Sequence, residues 1–166
     1  HNRSISQLAE KAGVTSREIS NVVVWGNHSL TQYPDLHHAK IKEQEALSLV
    51  GDDWFKDEFI PTVQQRGGAI IKARGQSSAA SAASAAISHM NTWIFGTEEN
   101  DWMSMGMVSD GSYGIEKGLM FSFPVTVVKG YVNIVQDLEL NDFSKEKLLV
   151  TEAELKQERE AIKHLF

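Results

Sequence analysis

The four residues Val22-Val23-Val24-Trp25 restrict the fold of this chain most, because three successive β-branched side chains and an indole crowd a helix and suit a buried strand. The run stops at Gly26, and the segment from Asn27 to Asp35 is polar and contains Pro34. It reads as a loop leaving the C-terminal end of the strand, where active groups are commonly displayed. A locally encoded function is expected there.

On either side of this strand the pattern is helical. Ile5, Leu8, Ala9 and Ala12 recur on one helix face, Gly13 sits where a C-terminal cap belongs, and Thr15 with Glu18 has capping-box spacing. From Asp52 to about Arg74, Trp54, Phe55, Phe59, Val63, Ile70 and Ile71 give a helical reading in which Pro61 either kinks one helix or starts a second. Ser77 to Ser88 holds only Ser and Ala apart from Ile87. A flexible linker is one reading of it. A helix is preferred, because Ala is the best helix former and Met90, Trp93 and Ile94 continue the apolar period.

Beyond Gly96 the runs shorten. Met103 to Val108, Phe121 to Val128 and Tyr131 to Val135, separated by Gly-containing turns, predict an antiparallel sheet. Thr151 with Glu154 has a second capping-box spacing, ahead of an apolar stripe of Leu155, Ile162 and Leu165 on a closing helix. The expected class is α+β, helices packed on a partly antiparallel sheet, in one domain over residues 1–166.

Composition removes several functions. With 16 Lys and Arg against 22 Asp and Glu, the net charge of -6 offers no basic face for nucleic acid. No apolar stretch reaches the length of a membrane span. The absence of Cys excludes disulfides, thiol nucleophiles and thiolate metal sites. His37-His38 are adjacent and in an extended segment point to opposite faces, so they read as solvated side chains and no metal site is expected. Asp52-Asp53 suits the positive end of a helix dipole better than a paired acid and base. No Gly-x-Gly-x-x-Gly follows a strand, so a dinucleotide-binding fold is not expected within these residues.

Two side chains stand out for chemistry. His28 lies in the polar loop behind Gly26, and an imidazole titrating near neutrality can give or take a proton, although a lone loop histidine is more often solvated or a cap. Arg3 offers a planar fork for a carboxylate, although one Arg near a helix start is usually a surface charge.

Trp25-Gly26-Asn27-His28-Ser29, Thr31-Gln32-Tyr33-Pro34-Asp35 and Thr62-Val63-Gln64-Gln65-Arg66-Gly67 resemble successive blocks of the cytosolic-type malate dehydrogenases, within the lactate/malate dehydrogenase family. Ser104-Met105-Gly106, Ser109-Asp110-Gly111, Phe123-Pro124 and Asn141-Asp142-Phe143 continue the resemblance in the same order. It implies the C-terminal, substrate-binding domain, with the NAD-binding Rossmann half absent. It also implies NAD-dependent interconversion of malate and oxaloacetate by a cytoplasmic homodimer, with the Ser/Ala helix near the subunit contact.

Residue by residue, the resemblance implies that His28 exchanges a proton with the substrate oxygen and that Arg3, in His1-Asn2-Arg3, binds the substrate carboxylate. Ser77 matches a small hydroxyl residue near the substrate, and a helix N-cap explains it equally well. The aspartate that orients the histidine in this family would precede His1, so residues 1–166 alone are expected to be inactive. Two rivals remain: a non-catalytic association module, and a dehydrogenase for lactate or another 2-hydroxy acid. Asn27 and the Thr31 to Asp35 run favour malate.

Overall fold

The computed structural model describes residues 1–165. Helix α1 (Asn2–Ala12) ends as expected at Gly13, whose left-handed φ of 66° returns its N–H to the carbonyls of Ala9 and Glu10. In the short turn that follows, the Glu18 carboxylate accepts the N–H and hydroxyl of Thr15 at 2.9 and 3.0 Å. The first capping spacing is therefore used.

Five short strands come next: β1 (Ile19–Ser20), β2 (Val23–Trp25), β3 (Tyr33–Asp35), β4 (Lys40–Ile41) and β5 (Gln44–Glu45). They form two antiparallel sheets, β1-β4-β5 and β2-β3. The loop after β2 is thus shorter than Asn27 to Asp35, because its last three residues are strand. Pro34 lies opposite Val24 on β3, whose one strand neighbour is β2, and an edge strand tolerates the missing donor.

Helices α2 (Ala46–Val50), α3 (Asp52–Trp54) and α4 (Ile60–Arg74) follow, with a π-helical turn at Phe55–Phe59 between the last two. Of the two possibilities raised by Pro61 the second holds, since α4 starts at Ile60 with the proline in its first turn. The helical path continues from Asp52, and the turn before the proline widens, which accommodates a ring that cannot donate and crowds the carbonyl one turn back. The Ser/Ala tract is helical, as preferred, in α5 (Ala79–Phe95). That helix buries no side chain, and Ile87 and Phe95 stand 71% and 80% exposed.

Strands β6 (Met103–Val108), β7 (Met120–Val128) and β8 (Tyr131–Ile134) form the expected antiparallel sheet, with Met105 opposite Phe123. A bridge from Gly26 to Ser122 joins the end of β2 to β7. Over this junction Trp25, fully buried, meets Tyr113 and Phe123 edge-on at 4.8 and 6.4 Å between ring centroids. Burying an aromatic ring of this kind contributes roughly 1.5–3 kcal/mol. The architecture is α+β, helices around small antiparallel sheets, as expected.

Helix α6 (Asp142–Ile162) differs from expectation. It begins about two and a half turns before Thr151, capped by Asn141, whose side-chain oxygen accepts the Ser144 N–H at 2.8 Å. Thr151 and Glu154 are therefore interior helical residues, not a cap. The face that packs inward is half polar, with Ser144, Leu148, Thr151 and Glu152 buried, whereas Ile162 and Leu165 are 47% and 68% exposed. No helix among the described residues is long and apolar enough to cross a membrane.

Candidate active site

Strand β2 carries the chain into the loop through Gly26, which is held on two sides. Its N–H and C=O pair with Ser122 at 3.2 and 3.0 Å, and the Ser122 hydroxyl donates to the Val24 carbonyl at 2.6 Å. On the other side lies Thr151 of α6. A Cβ at Gly26 would fall 2.3 Å from Thr151 Cγ2, and the φ of 93° already disfavours any side chain. The helix packs directly on glycine backbone here.

From this anchor the loop alternates. The Asn27 N–H donates to Thr151 Oγ1 at 2.8 Å, and Asn27 Nδ2 donates to Glu154 Oε2 at 3.1 Å and Glu158 Oε1 at 2.8 Å. The Ser29 hydroxyl donates to Glu154 Oε2, and Thr31 Oγ1 donates to the same oxygen at 2.5 Å. Between these residues, His28 is exposed and Leu30 is 70% exposed. The loop closes where Gln64 of α4 donates to the Gln32 carbonyl at 2.7 Å. His28 thus extends from a segment fixed on both sides of it while its own ring makes no hydrogen bond among the described residues.

Arg3 lies in the first turn of α1, half-buried, and forms no ion pair among the described residues. Its helix is tied to the same junction. Ser104 Oγ of β6 takes the Val24 N–H at 2.8 Å and lies 3.1 Å from His1 Nδ1, and the Ser104 N–H donates to that nitrogen at 3.3 Å. One serine therefore fixes both the start of α1 and the strand that leads to His28. Ser77 is placed otherwise. It is exposed ahead of α5, its carbonyl accepts the Ala79 N–H at 3.1 Å, and the N-cap position falls to Ser78.

Electrostatically the loop rests on a carboxylate. Hydrogen bonds from Ser29, then Thr31 and Asn27, hold the Glu154 carboxyl below the ordinary value of 4.5. His37, expected to be solvated, is instead engaged. Its Nδ1 lies 2.6 Å from the buried Asp35 carboxylate and its Nε2 lies 2.7 Å from Asn141 Nδ2. Asn141 Oδ1 is occupied by Ser144, so its amide nitrogen donates to Nε2 and the ring proton sits on Nδ1. Among the described residues no group of three or more His, Asp or Glu is placed to hold a metal ion.

Sequence reading missed Thr151 and Glu154 as partners of the loop because their spacing imitates a cap. Nothing in a linear pattern pairs residues 120 or more positions apart.

Residues 1–166 match the family model for the lactate/malate dehydrogenase alpha/beta C-terminal domain. The chain belongs to this family. Among solved structures it is similar to malate dehydrogenase from Naegleria fowleri, at 45% identity and a TM-score of 0.94, covering 100% of this chain and 51% of that one. It is also similar to lactate dehydrogenase from Trichomonas vaginalis in complex with NADH and oxamate, at 37% identity and a TM-score of 0.93, covering 99% and 52%. Malate dehydrogenase from Salinibacter ruber, at 23% identity with a TM-score of 0.82 and coverage of 98% and 52%, shares the fold. The chain spans about half the length of the solved dehydrogenases it matches.

Proposed function

We propose that these residues form the substrate-binding half of an NAD-dependent 2-hydroxy-acid dehydrogenase acting on malate and oxaloacetate, with His28 as proton donor and acceptor and Arg3 as carboxylate clamp. The observation that carries the reading is the unengaged His28 ring between Asn27 and Ser29, whose side chains are both bound to Glu154. A catalytic acid needs this combination of a fixed backbone and a free nitrogen. An unpaired, half-buried guanidinium on α1, joined through Ser104 to the same strand, suits a planar carboxylate.

In the reducing direction Arg3 would hold the carboxylate of the 2-oxo acid and His28 would protonate the carbonyl oxygen as it becomes an alcohol. In reverse His28 accepts the hydroxyl proton. The sheets of residues 1–165 are all antiparallel, with no parallel strand-helix-strand unit to cradle a dinucleotide. A nicotinamide dinucleotide does not fit these residues alone, and in this proposal the hydride carrier would be held by residues other than these. Residues 1–166 by themselves are therefore expected to be inactive, and ready malate-dependent NAD reduction by them would refute this.

The malate assignment rests on Asn27 and the Thr31 to Asp35 run and on the similarity to the Naegleria enzyme, with lactate as the rival raised by the Trichomonas enzyme. We also propose a cytoplasmic homodimer. The apolar side chains of α5, Ile87, Met90, Trp93, Ile94 and Phe95, are all at least 45% exposed and support association as a role of this half. A monomer by sedimentation at high concentration would count against it.

The deciding assay is NADH oxidation by the full-length protein with oxaloacetate and with pyruvate. Turnover of oxaloacetate, lost by about 10²- to 10⁴-fold in His28→Asn, is expected. Preference for pyruvate selects the lactate reading, and turnover of neither rejects both.

A further inference from the structure

The alternation of the loop gives α6 a definite task. Asn27, Ser29 and Thr31 all turn toward the helix and converge on one atom, Glu154 Oε2, while His28 and Leu30 turn away from it. Main-chain bonds hold the loop at Gly26, but between Asn27 and Gln32 its one internal backbone hydrogen bond is a 3.3 Å contact from Gln32 N–H to the Ser29 carbonyl. Side-chain acceptors therefore set the conformation of the residues that flank His28. An apolar helix-loop contact would bury area without fixing direction. A single ionised oxygen shared by three donors fixes three side-chain vectors at once, and Thr151 Oγ1 adds a fourth bond to the Asn27 N–H.

We propose that Glu154, seconded by Thr151, is a positioning residue for the His28 imidazole in the dehydrogenase reaction. The proposal rests on the assignment of His28 made above. Glu154 touches neither substrate nor Arg3 in this scheme, so it governs the placement of the proton and leaves carboxylate capture alone. Losing it lowers kcat and spares KM for the 2-oxo acid. Gln keeps a carbonyl oxygen able to occupy the Oε2 position, so Glu154→Gln preserves much of what Glu154→Ala destroys.

The test uses the full-length protein with its dinucleotide, comparing E154A, E154Q and a control, E160A, at an exposed helix position paired with Lys163. Expected for E154A is a kcat at least about tenfold below wild type with KM for oxaloacetate within about twofold. E154Q should recover to within about threefold of wild type and E160A should match it. Amide hydrogen exchange at residues 27–31 should quicken about tenfold in E154A while α1 stays unchanged. A folded E154A with wild-type kcat, equal losses in kcat and KM, or failure of E154Q to recover overturns the proposal. If the wild-type protein reduces no 2-oxo acid, the dehydrogenase reading falls separately, and unchanged exchange at residues 27–31 in E154A then overturns the positioning role on its own.

Discussion

Trp25 Nε1 donates to the buried Asp35 carboxylate at 3.0 Å, across the same two strands that open into the histidine loop. The other carboxylate oxygen takes the His37 N–H at 3.0 Å and its ring Nδ1 at 2.6 Å, and His37 passes the connection to Asn141 at the start of α6. Asp35 thus links the core indole, the β2-β3 ribbon and the N-cap of the helix that carries Glu154. Asp35→Asn replaces an ionised acceptor by an amide facing three donors. A loss of roughly 3 kcal/mol in unfolding free energy is expected. Denaturant unfolding monitored by the buried Trp25 measures it, and a change under about 1 kcal/mol would show that the linkage does not support the fold.

The same carboxylate sets an acid limit. Burial alone would push its pKa up, but hydrogen bonds from the His37 ring and backbone and from Trp25 outweigh this and hold it below the ordinary value of 3.8. A folded-state pKa below the unfolded one means that its stabilisation is complete above the unfolded value and disappears as pH falls through the folded value. The difference in melting temperature between wild type and Asp35→Asn should be constant near neutrality and shrink below about pH 4. Glu18, Asp110, Glu116 and Glu154 are also lowered, so the difference, not the wild-type curve, isolates Asp35. A difference that stays constant to pH 2.5 would contradict the assignment.

How much was visible in the sequence depended on whether a residue acts locally. The Val22–Trp25 run, the Gly13 cap, the Ser/Ala helix and the three late strands are set by side-chain type and period over a few residues, and each was read correctly. The loop was legible as a place, since Gly26 and the polar run behind it mark it. Its support was not. α6 buries Ser144, Thr151 and Glu152 beside Leu148, so polar residues interrupt its inward face, and Thr151 with Glu154 copies the spacing of a cap while answering to Asn27, Ser29 and Thr31. His37 is only half legible, because Asp35 lies two residues away while its second partner, Asn141, is distant in sequence. Pro34 and Pro61 were legible as interruptions, but only the tertiary setting decides that one sits in an edge strand and the other behind a π-turn.

Arg3 tests the carboxylate clamp separately from proton transfer. Lys keeps the charge but loses the planar fork, so Arg3→Lys in the full-length protein should raise KM for the 2-oxo acid by about tenfold or more, with a smaller effect on kcat. The half-buried position of Arg3 without an ion-pair partner predicts a stability change within about 0.5 kcal/mol. Steady-state kinetics beside a thermal melt separates the two. An unchanged KM would remove Arg3 from the site.

Gly26 is the position where the fold of the loop and its support meet, and a methyl group tests both. In Gly26→Ala the new Cβ would lie 2.3 Å from Thr151 Cγ2 and 2.4 Å from Thr151 Oγ1, at a φ of 93°. Overlap and backbone strain together are expected to cost about 2–4 kcal/mol. Relief requires α6 to withdraw, and withdrawal stretches the Thr151 bond to Asn27 N–H and the Glu154 bonds to Ser29 and Thr31. Activity should therefore fall further than stability alone accounts for. Thr151→Gly in the same chain removes the overlap while leaving the φ strain, so the double variant should regain part of the stability but not the activity, because the hydroxyl that holds Asn27 is gone. Full recovery of activity in the double variant would mean that the Thr151 contact is only packing.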